Sequence, residues 1–249
     1  MNRDLLRLYA ITDRHCLKTL PQTAAVKLTS IAEEGLAATD TEDVSEAPSL
    51  QTGAETEALA AAVEQAILGG ATIVQFREKE LTGARFEQDA RAVQAVCRKH
   101  GVPFIMNNDV ALAQKLDADG VHVGQSDLPA AEARRLLGPA KIIGVTARTV
   151  AEAQAAEAAG ADYLGSGAVF GTSTKHDAKT MPLETFRAIT ASVQIPVVAI
   201  GGISAANAGG LKSHGAAGLA VVSSLFGAAD ITEAAQALRA IADEVVADR

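Results

Sequence analysis

Apolar positions along the chain gather into eight short runs separated by longer amphipathic stretches. The runs are "LYAIT" (8–12), "ATIVQFR" (71–77), "PFIMN" (103–107), "DGVHV" (119–123), "KIIGV" (141–145), "ADYLGS" (161–166), "PVVAI" (196–200) and "AGLAVV" (217–222). They are close to continuous in apolar and small residues rather than alternating, which suits parallel strands covered on both faces. The stretches between them are rich in Ala, Glu and Arg at helical spacing. One of these, "VAEAQAAEAAG" (150–160), ends on Gly as a helix C-cap does. Eight β-then-α units in succession predict an α/β fold, a (β/α)8 TIM barrel forming a single domain over 1–249. A doubly wound open sheet is the competing architecture, and its Rossmann form lacks support because no G-x-G-x-x-G follows the first strand.

One interval breaks the rhythm. A helix is expected over "ETEALAAAVEQAILGG" (55–70), far beyond the first strand, whereas βα loops usually take about 2–6 residues. Residues 18–54 therefore read as a long acidic insertion, with a short helix around "AAVKLTSIAEEGL" (24–36). The part over 33–57 is acidic and rich in Thr, Ser and Ala. A solvated loop on the C-terminal face is the expectation, with a lid over that face as the alternative.

Composition narrows the class. At 249 residues and 48% hydrophobic, the chain has material for one sizeable core. No apolar run reaches the roughly 18 residues of a membrane span, and "MNRDLLRLYAITDRH" carries no cleavage signature, so no signal peptide is read. Cys16 and Cys97, without metal-type spacing, fit a reducing cytoplasm, and Cys97 reads as a core residue. A net charge of −8 and 3% aromatics argue against nucleic acid as a partner. No membrane partner is expected either, and a homo-oligomer is left open. Any anion this chain binds has to be held by a local constellation.

That constellation lies at the ends of the runs, which a barrel brings to one mouth. The ends read Thr12-Asp13, Gln75 to Lys79, Asn107-Asn108-Asp109, Gly124 to Asp127, Thr146, "GTSTK" (171–175), Gly201-Gly202 and Val222-Ser223. Arg77, Lys79 and Lys175 suit a phosphate clamp, Arg through its planar fork and Lys as a point charge. Asp127, with Asn108 or Asp109, offers the hard oxygens that Mg²⁺ takes beside a substrate phosphate. Backbone amides at Gly201-Gly202 and Val222-Ser223 stand where this architecture usually binds phosphate. Two anion sites in one mouth imply two phosphorylated small-molecule substrates. The competing readings are a rim ion pair for Arg77 with Glu78, and a packed, hydrogen-bonded His122.

Taken together, "LYAITD", "GGATIVQFREKE", "DADGVHVGQSDLP", "GADYLGSGAVFGTSTK", "IPVVAIGGIS" and "GLAVVSS" resemble the thiamine-phosphate synthase family. The resemblance covers almost the whole chain outside 18–54, and its most specific parts are the Q-x-R-E-K and T-x-T-K blocks. It implies a transferase that couples a hydroxymethylpyrimidine diphosphate to a thiazole phosphate, giving thiamine monophosphate and pyrophosphate. It also implies that Gln75, Phe76, Arg77, Glu78, Lys79, Asn107, Thr146 and Lys175 contact the pyrimidine diphosphate. Thr172, Ser173, Thr174, Gly202, Val222 and Ser223 would surround the thiazole phosphate, and Mg²⁺ would be the cofactor.

The chain departs from the family pattern in three places. A gapless count from "DGVHVGQ" puts Asn108 at the usual metal aspartate, with Asp109 one place late. Thr146 stands where serine is usual, and the 18–54 insertion is longer than the family's first loop. A thiazole tautomerase, or a non-catalytic phosphate-binding relative, is the alternative reading. Retention of Arg77, Lys79, Asp127 and Lys175 weighs against the first of these.

Overall fold

The computed structural model describes residues 1–19, 50–171 and 180–248. All eight apolar runs form strands: β1 (Leu8–Ile11), β2 (Ile73–Phe76), β3 (Phe104–Asn107), β4 (Gly120–Val123), β5 (Ile142–Thr146), β6 (Tyr163–Gly167), β7 (Val197–Ile200) and β8 (Gly218–Val221). Every neighbouring pair is parallel, and the ring closes where Tyr9 of β1 meets Ala220 of β8. The expected barrel is therefore present.

Strand periodicity sorts the side chains into two layers. Tyr9, Ile11, Ile73, Ile105, Tyr163, Val198 and Ala220 point inward and fill the barrel. Their neighbours Leu8, Ala10, Val74, Phe76, Phe104 and Met106 point outward into the larger core beneath the helices. Each fully buried Phe of that outer layer contributes about 1.5–3 kcal/mol by leaving water.

The helices are α1 (Leu50–Leu68), α2 (Gly83–His100), α3 (Val110–Lys115), α4 (Ala130–Leu137), α5 (Val150–Ala158), α6 (Leu183–Ser192), α7 (Ser223–Phe226) and α8 (Ile231–Ala247). α1 begins ahead of Glu55, so part of the expected insertion is helical. The helix expected over 24–36 lies outside the described residues. α2 stops at Gly101, whose φ of 66° suits the left-handed C-cap, and carries Arg98, Lys99 and His100 against its negative end. After β7 the helix is replaced by a 3-10 turn, Ala208–Leu211. Gly209 and Gly210 fall within it, and glycine is costly in a helix interior.

Candidate functional site

At the C-terminal ends of the strands a cavity opens into the barrel. Gln75 and Arg77, Asn107, His122, Thr146 and Arg148 form one side, and Gly167-Ala168, Ile200 to Ile203 and Val221 to Ser223 form the other. Tyr9, Ile11, Val198 and Ala220 of the inner layer close it below. Strand-end residues from most of the units thus meet in one place, as the barrel topology dictates.

A chain of hydrogen bonds crosses the barrel under this cavity. Gln75 Nε2 donates to the Tyr9 hydroxyl at 2.9 Å, and Tyr9 and Tyr163 share a hydrogen bond of 2.6 Å. The Tyr163 hydroxyl lies 3.0 Å from His122 Nδ1, and His122 Nε2 lies 3.0 Å from Thr146 Oγ1. Five strands contribute one residue each. The close approach requires Gly144 on β5, because a Cβ there would meet the Tyr163 ring at 2.1 Å and His122 Nδ1 at 2.5 Å. Burial pushes the ionisation of both tyrosines well above the ordinary range, so both are neutral hydroxyls that can donate and accept. His122 is thus both packed and hydrogen-bonded, and it lines the cavity.

Arg77 is fixed from two directions. Its backbone N–H donates to Thr12 Oγ1 at 2.9 Å, and that hydroxyl donates to the Arg77 carbonyl at 3.1 Å. Its guanidinium pairs with Asp13 at 3.0 Å, both side chains being largely buried. The two neighbours of Arg77 look elsewhere. Phe76, expected beside a substrate, is turned to the outer layer, where it packs on Phe86 (centroids 5.3 Å apart) and Phe104 (6.4 Å). Strand alternation explains this, since Gln75 and Phe76 face opposite sides of the sheet, and it leaves only the Phe76 backbone to meet a substrate. Glu78 gives its carboxylate to Arg14 and to the backbone N–H groups of Lys79 and Glu80. Arg77 therefore does not pair with Glu78 at the rim, and Lys79 is exposed on the loop that follows.

The candidate metal residues sit where β3 and β4 end. Asn108 is exposed, adopts a φ of 65°, and donates its N–H to the His122 carbonyl at 2.8 Å. Asn is among the few residues that enter this left-handed region readily. Asp109 caps α3, its carboxylate accepting from the Leu112 N–H at 2.8 Å. Asp127 Oδ2 accepts from the Gly124 N–H at 2.7 Å, which orients its carboxylate across the β4 loop. Among the described residues no group of three or more His, Cys, Asp or Glu could enclose a metal ion. The donors present instead suit a hard cation that keeps waters and takes further oxygens from a phosphate.

Opposite these residues, Gly202 has a φ of 67°, and a Cβ there would meet the Gly171 carbonyl oxygen at 1.7 Å. Only glycine lets the β7 loop press against the β6 loop in this way. Val222 and Ser223 line the same wall, at the start of α7. Thr172, Ser173, Thr174 and Lys175 lie outside the described residues.

Sequence reasoning passed over two lining residues, Tyr9 and Arg148, and over Tyr163, which bonds Tyr9 and His122 beneath the cavity. The tyrosines carried a signal, being the only two in the chain and polar-tipped within apolar strands. Arg148 had a weaker one. It immediately precedes the α5 N-cap Thr149, and its backbone N–H is held by the Glu152 carboxylate at 2.6 Å.

Comparison with known proteins gives a consistent picture. A family model described as thiamine monophosphate synthase matches residues 49–225. The thiamine-phosphate synthase of Ruminiclostridium cellulolyticum is 50% identical over 183 residues, covering 74% of this chain and 87% of the relative. That of Moorella thermoacetica is 49% identical over 180 residues, covering 72% and 86%. Among solved structures, the thiamine phosphate pyrophosphorylase of Pyrococcus furiosus superposes with a TM-score of 0.76 at 34% identity, covering 98% of this chain and 99% of that one.

Proposed function

The chain belongs to the thiamine monophosphate synthase family, and we infer from this membership and from the barrel mouth that it is the transferase that makes thiamine monophosphate. It joins a 4-amino-2-methylpyrimidine carrying a diphosphooxymethyl group to a methylthiazole carrying a phosphoethyl group, or to the carboxylated form of that thiazole. The names of the relatives carry this reading, and none of them points to a tautomerase or a non-catalytic binder.

The reaction needs two events. The bond between the pyrimidine's exocyclic methylene carbon and the diphosphate oxygen breaks, and its electron pair leaves with pyrophosphate. The thiazole nitrogen then gives its lone pair to that carbon, forming the new C–N bond. The cation between these events is delocalised into the aminopyrimidine ring. No protein nucleophile is needed. What is needed is charge on the leaving group and alignment of two reactants.

Arg77, Lys79 and Lys175 are proposed to neutralise the departing diphosphate. The observation that carries this is the Arg77–Asp13 pair at the cavity wall, which fixes the guanidinium before any substrate arrives. Fixed donors of this kind lose little to reorganisation in the transition state. Gln75, Asn107 and Thr146 are proposed to orient the pyrimidine, with the tyrosine and histidine chain holding Gln75 and Thr146 in place. Gly202, Val222 and Ser223, with Thr172 to Thr174, would take the thiazole phosphate. Asp127 and Asn108 would hold Mg²⁺, with Asp109 turned toward α3 as its N-cap. When bound, the ion would add positive charge at the leaving diphosphate.

Among the described residues no helix is long and apolar enough to cross a membrane. A cytoplasmic location is proposed on Cys16 and Cys97, which stand as thiols rather than as a disulfide. The reading is tested by supplying the thiazole phosphate alone and then with the pyrimidine diphosphate. Thiamine monophosphate in the second mixture only supports the transferase. Isomerisation of the thiazole in the first, with no coupling in the second, would favour the tautomerase.

A further inference from the structure

Beside the cavity, on the outer side of the β2 loop, lies an ionic network that the reaction itself does not call for. At its centre is Arg14, in the 3-10 turn Arg14–Thr19 after β1. Its guanidinium reaches three carboxylates: Nε bonds Glu78, Nη2 bonds Asp89, and Nη1 lies 3.4 Å from Glu55. Asp89, on α2, is fully buried and also accepts from Thr56 Oγ1 at 2.6 Å and from Arg85 Nε at 3.1 Å. Arg85 in turn reaches Glu55 at 3.3 Å. The β1 turn, α1, α2 and the β2 loop are therefore tied together at one point.

The network ends at the backbone of Lys79. Glu78 uses Oε2 for Arg14 and Oε1 for two main-chain donors, the N–H of Lys79 at 2.7 Å and that of Glu80 at 2.9 Å. The Glu78 side chain is only 3% exposed, so this staple is shielded from competing water. Without Arg14 the carboxylate would keep its two backbone donors but lose its anchor to the barrel. The loop carrying Lys79 would then be free to move as a unit. Arg14 is unsuited to acting on a substrate directly, because each of its three guanidinium nitrogens already faces a carboxylate, of Glu78, Asp89 or Glu55.

We propose that Arg14, anchored by buried Asp89, is a positioning residue that sets the place of Lys79 through the Glu78 staple. This rests on the reading of Lys79 as part of the diphosphate clamp. The geometry suits a device that keeps an exposed lysine on a short loop near its working position, since displacements on the order of 1 Å can cost about a hundredfold in rate. Arg is required rather than Lys, because one side chain has to meet carboxylates from three different elements at fixed angles.

The test compares Arg14→Gln, Lys79→Ala and the double variant, each confirmed as folded by thermal melting. kcat/KM for the pyrimidine diphosphate, KM for the thiazole phosphate and calorimetric affinity for Mg²⁺–pyrophosphate are read in each. Arg14→Gln is expected to lower kcat/KM for the diphosphate and to weaken pyrophosphate, each by roughly ten- to a hundredfold, leaving KM for the thiazole phosphate unchanged. In the Lys79→Ala background it should add no further loss. If Arg14→Gln does not fold, Asp89→Asn takes its place, with the same pattern expected. Losses that multiply in the double variant, losses shared equally by both substrates, or unchanged pyrophosphate affinity would each overturn the proposal. Failure of the underlying reading looks different: the unsubstituted protein would then make no thiamine monophosphate, while the pyrophosphate comparison would still judge Arg14.

Discussion

Tyr9 and Tyr163, the only tyrosines in the chain, meet hydroxyl to hydroxyl at 2.6 Å inside the barrel. They are 154 positions apart in sequence and stand on β1 and β6. The contact joins two lining residues from different strands, because Gln75 of β2 bonds one hydroxyl and His122 of β4 the other. Replacing either tyrosine by Phe leaves a buried partner short of a hydrogen bond, a loss of about 1–3 kcal/mol. Tyr9→Phe with Tyr163→Phe should cost less than the sum of the two, because the contact itself can be lost only once. Urea unfolding of the three variants reads this directly, and strict additivity would contradict the coupling.

Arg77→Ala and Lys175→Ala should each reduce turnover by about 10²–10³ while leaving the fold intact, the typical loss for one electrostatic contact to a developing charge. Arg77→Ala also leaves Asp13 unpaired at the cavity wall. An Asp13→Asn change in the Arg77→Ala background should therefore recover stability but not activity. Steady-state kinetics alongside melting separates the two effects. Near-native turnover in Arg77→Ala would remove it from the leaving-group clamp.

The metal assignment separates two neighbours. Asp109→Ala should cost about 1 kcal/mol, the usual worth of a helix N-cap, and leave the Mg²⁺ requirement where it was. Asn108→Asp should lower the Mg²⁺ concentration needed for half-maximal rate by adding a charge, and Asp tolerates the left-handed backbone found there. Magnesium titrations of the two variants decide the matter. A sharp rise in requirement for Asp109→Ala would transfer the ligand role to Asp109.

Glu78 has a pH signature. Burial opposes its ionisation, but the Glu80 N–H, Arg14 and the Lys79 N–H outweigh it and hold the carboxyl below its ordinary range. A depressed carboxyl contributes stability that is fully present above the unfolded glutamate pKa of about 4.3 and is lost as pH falls through the lower, folded value. Arg14→Gln removes part of the depression, so its acid transition should move to higher pH than that of the unsubstituted protein. Coincident acid transitions would show that the Arg14–Glu78 pair adds nothing.

Much of this molecule was legible in its sequence, for reasons that also mark where legibility ends. The eight strands stood out because parallel strands buried on both faces leave short continuous apolar runs. Arg77 and Asp127 stood out as charged residues at the ends of such runs. The tyrosine contact did not, because it depends on two strands meeting across the inside of a closed ring. The same is true of Arg14 and Asp89, 75 positions apart on different elements. The outward turn of the Phe76 side chain is hidden in the motif, because a motif is read as a continuous string while a strand deals alternate residues to opposite faces. Glu78 likewise is committed to its own loop, which no spacing rule announces. The missing helix after β7 was foreshadowed only by Gly209 and Gly210.

The central claim is coupling of two phosphorylated substrates at one barrel mouth. It is tested most directly by following pyrophosphate and thiamine monophosphate together, with Mg²⁺ present, as the thiazole phosphate is added to enzyme and pyrimidine diphosphate. The account predicts that both products rise in equal amounts and that both rates fall together in Arg77→Ala. Pyrophosphate released without thiamine monophosphate, or no release from the folded protein with both substrates supplied, would contradict it.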